Sequence, residues 1–461
     1  MENEVNNNGN SKSSQVKHYL LDALENGEFE LGKRLPGAKK ISAELNISLA
    51  TVQSAIDTLA MEGIIETVPR GGSYIQKNWR NRILHSNISR SLENRAWEKP
   101  FKSLLNKYLP EMRLTNNFPE SIFEIRTTAT VQAHHDEYMD LSDLFDDCYP
   151  DKSDFEMGPF KSFYFNGKLK GLPYIYSPRV MFYNPDILRS HDCPEPKSGW
   201  TWNDFIRMIK LLREKMDHKN IIYWTMEPFY FMNVVVRAGG RLINPKLHDP
   251  VLLDSEKTIY GFELIRELGK LVDLQNHHHL SNDFFIKRNM AFFIGGRDCL
   301  PTINAAGWDN WNAVELPMIP GGVDTTMQAT ELLCIRKNCT DLNTAKEIIK
   351  LILSREYQDM IGSVKYSIPI RKSSARKSID HSDRRDALFM TEATKVMREY
   401  NLNSPAIYNM FAKGARMCLE SKDDNRPMIK QLANALRTYI AIENNSWNKN
   451  LNQIKKENVS V

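Results

Sequence analysis

Apolar positions near the start of the chain follow a helical period. They recur every three or four positions over residues 14–26, and a shorter apolar face follows over 39–45. A third helix is predicted from Ser48, whose hydroxyl is suited to an N-cap, to about Met61. The first part of the chain is therefore predicted to be a group of three short helices.

After the third helix the pattern changes to that of strands. Residues 64–68 and 73–75 predict two strands, and the Pro-Arg-Gly-Gly sequence at 69–72 predicts a hairpin tip between them. Three helices and a hairpin are the elements of a winged helix-turn-helix, which we predict over 11–77. In that arrangement the third helix enters the major groove of DNA.

The remainder of the chain alternates strand-like and helix-like stretches. A polar, basic segment without apolar periodicity at 78–81 predicts a linker. Beyond it, 82–85 and 121–127 are strand-like and 92–108 is helix-like. Such alternation is typical of an α/β domain, which we predict over 82–461.

Length and composition add limits to this picture. The chain has 461 residues, too many for one typical core, and a formal net charge of only +4. The polar start of the chain predicts a disordered tail over 1–10 and shows no signal peptide, and no stretch has the length and apolar character of a membrane span. The six cysteines are scattered, which is typical of reduced thiols. We therefore expect a cytoplasmic protein.

Motifs of catalysis, cofactor binding and metal binding are missing from the sequence. It contains no GxSxG, HExxH or P-loop, and no GxGxxG in a strand–helix context. The run His277-His278-His279 cannot present three side chains on one helix face, so a solvated loop is predicted there. We expect neither an enzyme nor a bound cofactor or metal.

The predicted winged helix carries four short motifs. In chain order these are Leu35-Pro36, Ile47-Ser48-x-x-Thr51-Val52, Leu59-x-x-x-Gly63-Ile64-Ile65 and Gly71-Gly72-Ser73-Tyr74-Ile75. Together they resemble the GntR-family DNA-binding domain. The family usually has arginine where this chain has Lys39, Leu49 and Gln53. Through Arg80 the chain carries nine basic residues against ten acidic ones, a weak electrostatic footprint for DNA.

Two interpretations of this head remain open. It is either a DNA reader or a winged helix that serves dimerisation or protein contacts. As a reader it would bind DNA through seven residues: Lys39, Lys40, Ser48, Thr51, Gln53, Arg70 and Gly72. Gln53 is suited to bidentate recognition of an adenine edge. The complete motif favours DNA.

The second part of the chain carries an ordered series of motifs. They are Gly171-Leu172-Pro173-Tyr174, residues 181–188, Thr201-Trp202-Asn203-Asp204-Phe205, residues 290–295, Glu315-Leu316-Pro317, Gly321-Gly322, the helix-like stretch 345–358 and Ser367-Ile368-Pro369-Ile370-Arg371. This series resembles the family 1 extracellular solute-binding proteins, the group that includes maltose-binding protein. Thr201 and Asp204 also form a capping-box pattern. Few residues separate the strand region at 112–116 from Ser121, where the family usually has a long helix, so the first lobe is expected to be trimmed.

The resemblance implies two α/β lobes of the type II periplasmic-binding-protein class, joined at a hinge, with a ligand between them. It places eleven residues in the cleft: Arg126, Thr128, Tyr176, Ser177, Arg179, Glu227, Phe229, Tyr230, Met232, Arg297 and Asp298. Arg297 and Asp298 are expected to bind ligand hydroxyls and to satisfy each other in the empty site, with Phe229 or Tyr230 stacking. Met232 stands where maltose-type receptors have a stacking tryptophan. The expected ligand is a sugar or oligosaccharide.

These features together predict a cytoplasmic transcription regulator. It would bind operator DNA as a homodimer and respond to a small-molecule effector in the interlobe cleft. Two alternatives remain open: a GntR-headed, aminotransferase-like protein with pyridoxal phosphate, and a solute-binding component of a transporter.

Overall fold

The head is built as its hydrophobic pattern predicts. A computed structural model describes residues 12–457, except 78, 84–85, 93–94, 117–120, 225, 245–246, 273–284, 286–288 and 398–403. Its first three helices are α1 (Lys12–Glu25), α2 (Ala38–Leu45) and α3 (Leu49–Met61). Their apolar faces enclose one small core that includes Val16, Leu20, Val52, Ile56 and Leu59. The predicted tail at 1–10 lies outside the described residues.

Local caps and a hairpin complete the head. The Ser48 hydroxyl accepts a hydrogen bond from the Thr51 amide at 3.2 Å and caps α3, as predicted. Strands Ile65–Val68 and Gly72–Ile75 pair in antiparallel fashion to form the wing. Gly72 has a φ of +103°, which favours glycine, and a Cβ there would displace the Arg34 side chain that packs over it.

The segment predicted as a polar linker contains a short helix. Trp79–Arg82 is helical, and both Trp79 and Ile83 are buried in the core of the head. The expected strand at 82–85 is wrong where it is described, because burial of Ile83 holds that turn against the head. The first strand of the body is Asn87–Arg90 instead.

The body contains two main sheets. The larger, six-stranded sheet has the spatial order Ile368–Pro369, Leu172–Ser177, Ala329–Ile335, Phe123–Thr127, Asn87–Arg90 and Arg113–Asn116. The smaller, four-stranded sheet has the order Ile222–Tyr223, Phe292–Gly295, Val180–Tyr183 and Asn312–Val314. Two further pairs are Tyr164–Phe165 with Lys168–Leu169, and Thr326–Met327 with Val396–Met397. We call the parts built on these two main sheets the N-terminal and the C-terminal lobe.

Helices cover both sheets. In the body they span Glu98–Tyr108, Thr128–His134, Ser142–Cys148, Pro185–Ser190, Trp202–Arg213, Pro228–Arg237, Glu256–Leu271, Leu300–Ala305, Leu342–Ile352, Arg355–Ser363, Lys372–Ser378, Arg384–Ala393, Pro405–Glu420 and Arg426–Glu457. Short 3-10 turns occupy His135–Glu137, Pro159–Phe163, His218–Asn220 and Arg297–Cys299. Among the described residues, no helix combines the length and the apolar composition needed to cross a membrane.

Three local features refine the predicted elements. The helix expected at 92–108 begins only at Glu98, because Pro100 lacks an amide hydrogen and is tolerated only in a first turn. The stretch 345–358 is divided between two helices, since Ser354 caps the second through the Tyr357 amide at 3.1 Å. The Thr201–Asp204 capping box is confirmed, with both of its hydrogen bonds present.

Candidate functional site

A cleft of about 530 Å³ lies where the two lobes meet. The chain passes from the large sheet to the small one at Pro178-Arg179 and returns at Gln328. These crossings are tied together because the Thr326 hydroxyl accepts from the Arg179 amide at 2.9 Å and donates to the Arg179 carbonyl at 2.8 Å. Arg179 lines the cleft, and the bonded crossings are suited to act as a hinge.

The N-terminal lobe contributes a polar wall to the cleft. Glu331, buried at the centre of the wall, accepts hydrogen bonds from the Tyr174 hydroxyl at 2.7 Å and the Tyr366 hydroxyl at 2.6 Å. Burial raises the pKa of Glu331, while the two hydroxyl bonds oppose that rise. The wall therefore offers a fixed carboxyl group whose position is set by two tyrosines.

Arg95 lies beside this carboxyl group. Its Nε is buried and has no hydrogen-bond partner among the described residues. Burial lowers the pKa of Arg95, but attraction to Tyr366, Asp298 and Glu331 outweighs it, and the net shift is upward. A buried donor without a partner is costly, so this nitrogen is suited to a ligand acceptor.

The C-terminal lobe contributes aromatic rings and an ion pair. The rings of Phe229 and Tyr230 lie 4.5 Å apart and are tilted by 48°. Arg179 Nη1 lies 3.4 Å from Asp298 Oδ1. A Cβ at Gly296 would come within 2.8 Å of Arg179 Nη1 and 2.5 Å of Asp298 Oδ1, so the glycine lets this pair close over the backbone. Such a cleft can stack a flat apolar face and hydrogen-bond its polar edge.

Five of the eleven predicted cleft residues line this space: Thr128, Arg179, Phe229, Tyr230 and Asp298. The other six are absent from its lining: Arg126, Tyr176, Ser177, Glu227, Met232 and Arg297. Arg126 pairs with buried Glu124 at 2.9 Å, and Met232 is fully buried in the Pro228–Arg237 helix. Glu227 stands exposed at the start of that helix.

The expected pairing of Arg297 with Asp298 is wrong. Arg297 is fully buried and binds Asp386 Oδ1 through Nε at 3.0 Å. It also donates to the carbonyl oxygens of Ser367 at 2.7 Å and Ser378 at 2.8 Å. Adjacent residues point in opposite directions here, because the 3-10 turn Arg297–Cys299 directs Arg297 into the protein interior and leaves Asp298 at the cleft.

The sequence did not single out several residues of the cleft: Arg95, Phe293, Glu331, Tyr366, Tyr408 and Asn409. The sequence analysis placed Arg95 inside a helix predicted over 92–108, so it was not considered as a cleft residue. Pro100 indicated that this helix begins later. Tyr408 and Asn409 come from the Pro405–Glu420 helix, far along the chain, and no local pattern connects that helix to the cleft.

The predicted DNA-binding residues lie in three elements of the head: α2, the capped start of α3, and the wing. Lys39, Lys40, Gln53 and Arg70 are exposed, and Arg70 occupies the wing tip with a φ of +62°. Gln53 Nε2 donates to Asp57 Oδ1 at 2.9 Å on the exposed side of α3. The remaining three have local roles: Ser48 and Thr51 form the helix cap, with their hydroxyls 2.7 Å apart, and Gly72 makes room for Arg34.

Metal ligands are not grouped in the described part of the chain. There, no three His, Cys, Asp or Glu side chains come close enough to hold an ion. The run His277-His278-His279 lies outside the described residues.

Comparison with known families assigns both parts of the chain. The family described as bacterial extracellular solute-binding protein matches residues 115–386. The chain belongs to this family. The family described as bacterial regulatory proteins, gntR family, matches residues 12–75. This solute-binding protein therefore carries a GntR winged-helix head, and the expected fold class, a winged helix joined to a periplasmic-binding-protein-like α/β domain, is confirmed.

Curated relatives match the two parts separately. The diacetylchitobiose-binding protein DasA of Streptomyces coelicolor is 25% identical over 283 residues, which cover 56% of this chain and 62% of DasA. The HTH-type transcriptional regulator YdfD of Bacillus subtilis is 28% identical over 69 residues, 15% of this chain and 14% of YdfD. The chain thus spans less than two thirds of either relative.

Solved structures show the same body fold at low identity. A solute-binding protein of Thermotoga lettingae with bound α-D-tagatose has a TM-score of 0.66 at 12% identity, covering 76% of this chain and 98% of the other. The GacH receptor of Streptomyces glaucescens has a TM-score of 0.63 at 16% identity, covering 76% and 97%. Maltose-bound MalE3 of T. maritima has a TM-score of 0.63 at 16% identity, covering 77% and 99%.

Proposed function

We propose that this protein is a cytoplasmic transcription regulator in which a small molecule bound between the lobes modulates operator binding by the head. One observation carries the proposal: a GntR head and a solute-binding body with an interlobe cleft share one chain. The GntR head supports an intracellular site of action. Neither family is catalytic, which supports a binding role rather than an enzymatic one.

The effector in this proposal is a carbohydrate. The tilted pair of Phe229 and Tyr230 offers a platform for a sugar ring, and the charged groups of Arg95, Asp298 and Glu331 surround the same space. Charged, planar groups beside aromatic rings are suited to sugar hydroxyls. The names of similar proteins support the class, since DasA binds diacetylchitobiose and GacH was solved with acarbose.

On DNA the protein would act as a homodimer. One helix-turn-helix reads a half-site, so a palindromic or nearly palindromic operator requires two heads. The residues proposed to contact it are Lys39, Lys40, Ser48, Thr51, Gln53, Arg70 and Gly72.

The ligand is testable by a thermal-shift screen of the full-length protein with diacetylchitobiose, tagatose, maltose and acarbose. A sugar present at 100 times its Kd should stabilise the folded protein by about 2.7 kcal/mol. Asp298→Ala, which lines the cleft, should reduce that shift, whereas Arg189→Ala on the surface should leave it intact. If no member of a wider set of mono- and oligosaccharides raised the melting temperature, the effector would not be a carbohydrate.

The regulatory role is testable by DNA binding at physiological salt. The intact protein should prefer the DNA upstream of its own operon to random DNA of equal length. Equal affinity for the two DNAs would contradict the proposed regulatory role. It would favour the alternative that the head serves protein contacts.

A further inference from the structure

Helix α1 is buried on two sides. Its apolar side packs in the head core through Val16, Leu20 and Leu24. An adjacent, polar side carries Ser14 and Lys17, which are also buried, although a helix at the edge of a small head would normally expose such residues. The surface that covers this polar side belongs to the N-terminal lobe.

Arg113 is the main contact on the lobe. It is the first residue of the edge strand Arg113–Asn116 and is almost completely buried. Its guanidinium makes a two-pronged contact with Glu25, with nitrogen–oxygen distances of 3.0 and 3.1 Å, and also binds Asp22. Two hydrogen bonds from one planar guanidinium to one carboxylate fix orientation as well as distance.

Lys17 extends this contact to α3, the recognition helix of the predicted winged helix-turn-helix. Its ammonium group lies 2.6 Å from Glu62, the residue that ends α3, and 3.0 Å from Glu111 of the lobe. Burial opposes the charge of Lys17, but the hydrogen bonds to Glu62 and Glu111 outweigh it and raise its pKa. The Lys17 ammonium group thus joins the end of α3 to the N-terminal lobe, which also carries Arg113.

A residue at each end of the connecting segment also takes part in the contact. Ile83, buried in the head core, accepts a hydrogen bond through its carbonyl from the Asn87 side chain at 2.6 Å. Asn87 begins the strand next to Arg113–Asn116, and its Oδ1 lies 3.5 Å from Arg113 Nη1. Asn87 therefore links Ile83 of the head core to Arg113 of the lobe.

We propose that the head and the N-terminal lobe form one rigid unit, locked by a clamp of Arg113, Asp22, Glu25, Lys17 and Glu111. The recognition helix then keeps a fixed orientation to the lobe, and any movement between the lobes also moves the C-terminal lobe relative to the head. As a route for an effector signal, the clamp rests on the proposed regulatory function. As a rigid unit it stands without it.

The position of the clamp in the sheet supports this role. Arg113 and Asn87 lie at the amino ends of two parallel strands. The cleft lies beyond the carboxyl ends, where Leu92 and Arg95 follow the strand Asn87–Arg90. Clamp and cleft are therefore at opposite ends of the same short, hydrogen-bonded strands, which transmit displacement with little loss.

The clamp can be tested by pulsed electron spin resonance on the full chain, without DNA or sugar. Spin labels are placed at Ala43→Cys in α2 and Ser103→Cys in the Glu98–Tyr108 helix, both exposed helical positions, with Cys148 and Cys339 replaced by serine. The native clamp should give one narrow distance distribution. Arg113→Ala should broaden it, and the double variant Asp22→Ala/Glu25→Ala should broaden it to the same extent.

Two controls make the result decisive. Arg189→Ala removes an exposed arginine that pairs with Asp186 and should leave the distribution narrow. Combining Arg113→Ala with Asp22→Ala/Glu25→Ala should add nothing to either change, because all three side chains belong to one interaction. A broad distribution in the native protein, or a narrow one in both clamp-breaking variants, would overturn the proposal. Neither outcome bears on whether the protein regulates transcription.

Discussion

At the scale of single residues, the neighbours Arg297 and Asp298 have different roles: Arg297 stabilises the interior, and Asp298 lines the cleft. The buried guanidinium of Arg297 joins the turn after strand Phe292–Gly295 to Asp386, Ser367 and Ser378. Removing one partner of a buried ion pair leaves the other charge without compensation, so Arg297→Ala should lower the free energy of unfolding by about 3–5 kcal/mol. Urea unfolding measures this loss.

Asp298→Ala serves as the matched comparison. Because Asp298 faces the cleft, its loss should change stability much less and instead weaken sugar binding in calorimetric titration. Equal destabilisation by the two variants, or full sugar affinity in a folded Asp298→Ala protein, would contradict this division.

His18 gives the head a predicted pH dependence. Burial and then the nearby Arg113 lower its pKa to about 4, with Lys17 adding to this and Asp22 and Glu111 opposing it. The unfolded chain, with an ordinary histidine pKa of about 6.5, binds the proton more readily. The contribution of neutral His18 to the free energy of unfolding is therefore fully present above about pH 6.5 and is lost as the pH falls towards 4.

The size of this effect is at most about 3 kcal/mol. His18→Gln should flatten the dependence of unfolding free energy on pH between 6.5 and 4.5, as measured by urea unfolding. His218→Gln, on an exposed turn, should leave the dependence unchanged. A native-like pH profile in His18→Gln would show that other groups cause it.

At the scale of elements, the recognition helix α3 is expected to determine which operator sequence the protein prefers. Gln53 is exposed and its amide is oriented by Asp57, four residues later. Gln53→Ala should therefore change the preferred base at one operator position, with a discrimination of about 1–3 kcal/mol, whereas Lys39→Ala should weaken binding to all sequences alike. Selection from a randomised operator library separates the two effects. An unchanged base preference in Gln53→Ala would exclude this contact.

At the scale of the whole molecule, the proposed coupling between cleft and head must be reciprocal. A sugar that changes operator affinity by some factor must have its own affinity changed by operator by that factor, typically about 5–150-fold. Binding isotherms of labelled operator with and without the saturating sugar, paired with sugar titrations with and without operator, measure both factors. Superimposable operator curves would mean that sugar binding does not reach the head.

The sequence alone determined the elements whose signals lie within a few residues. The Ser48 cap, the Thr201–Asp204 capping box and the hairpin at the wing were all predicted, because each depends on side chains one turn apart or on the residues of a single turn. The same locality explains why both family resemblances were readable: their motifs are short and appear in order.

Only the tertiary structure decided which charged groups meet. Arg297 pairs with Asp386, 89 residues away, and Lys17 with Glu111, 94 residues away. Nothing periodic in the sequence marks such pairs, since their choice depends on how the lobes and the head pack. For the same reason the sequence did not predict that Arg95 lines the cleft, or that Arg126 and Met232 are buried away from it.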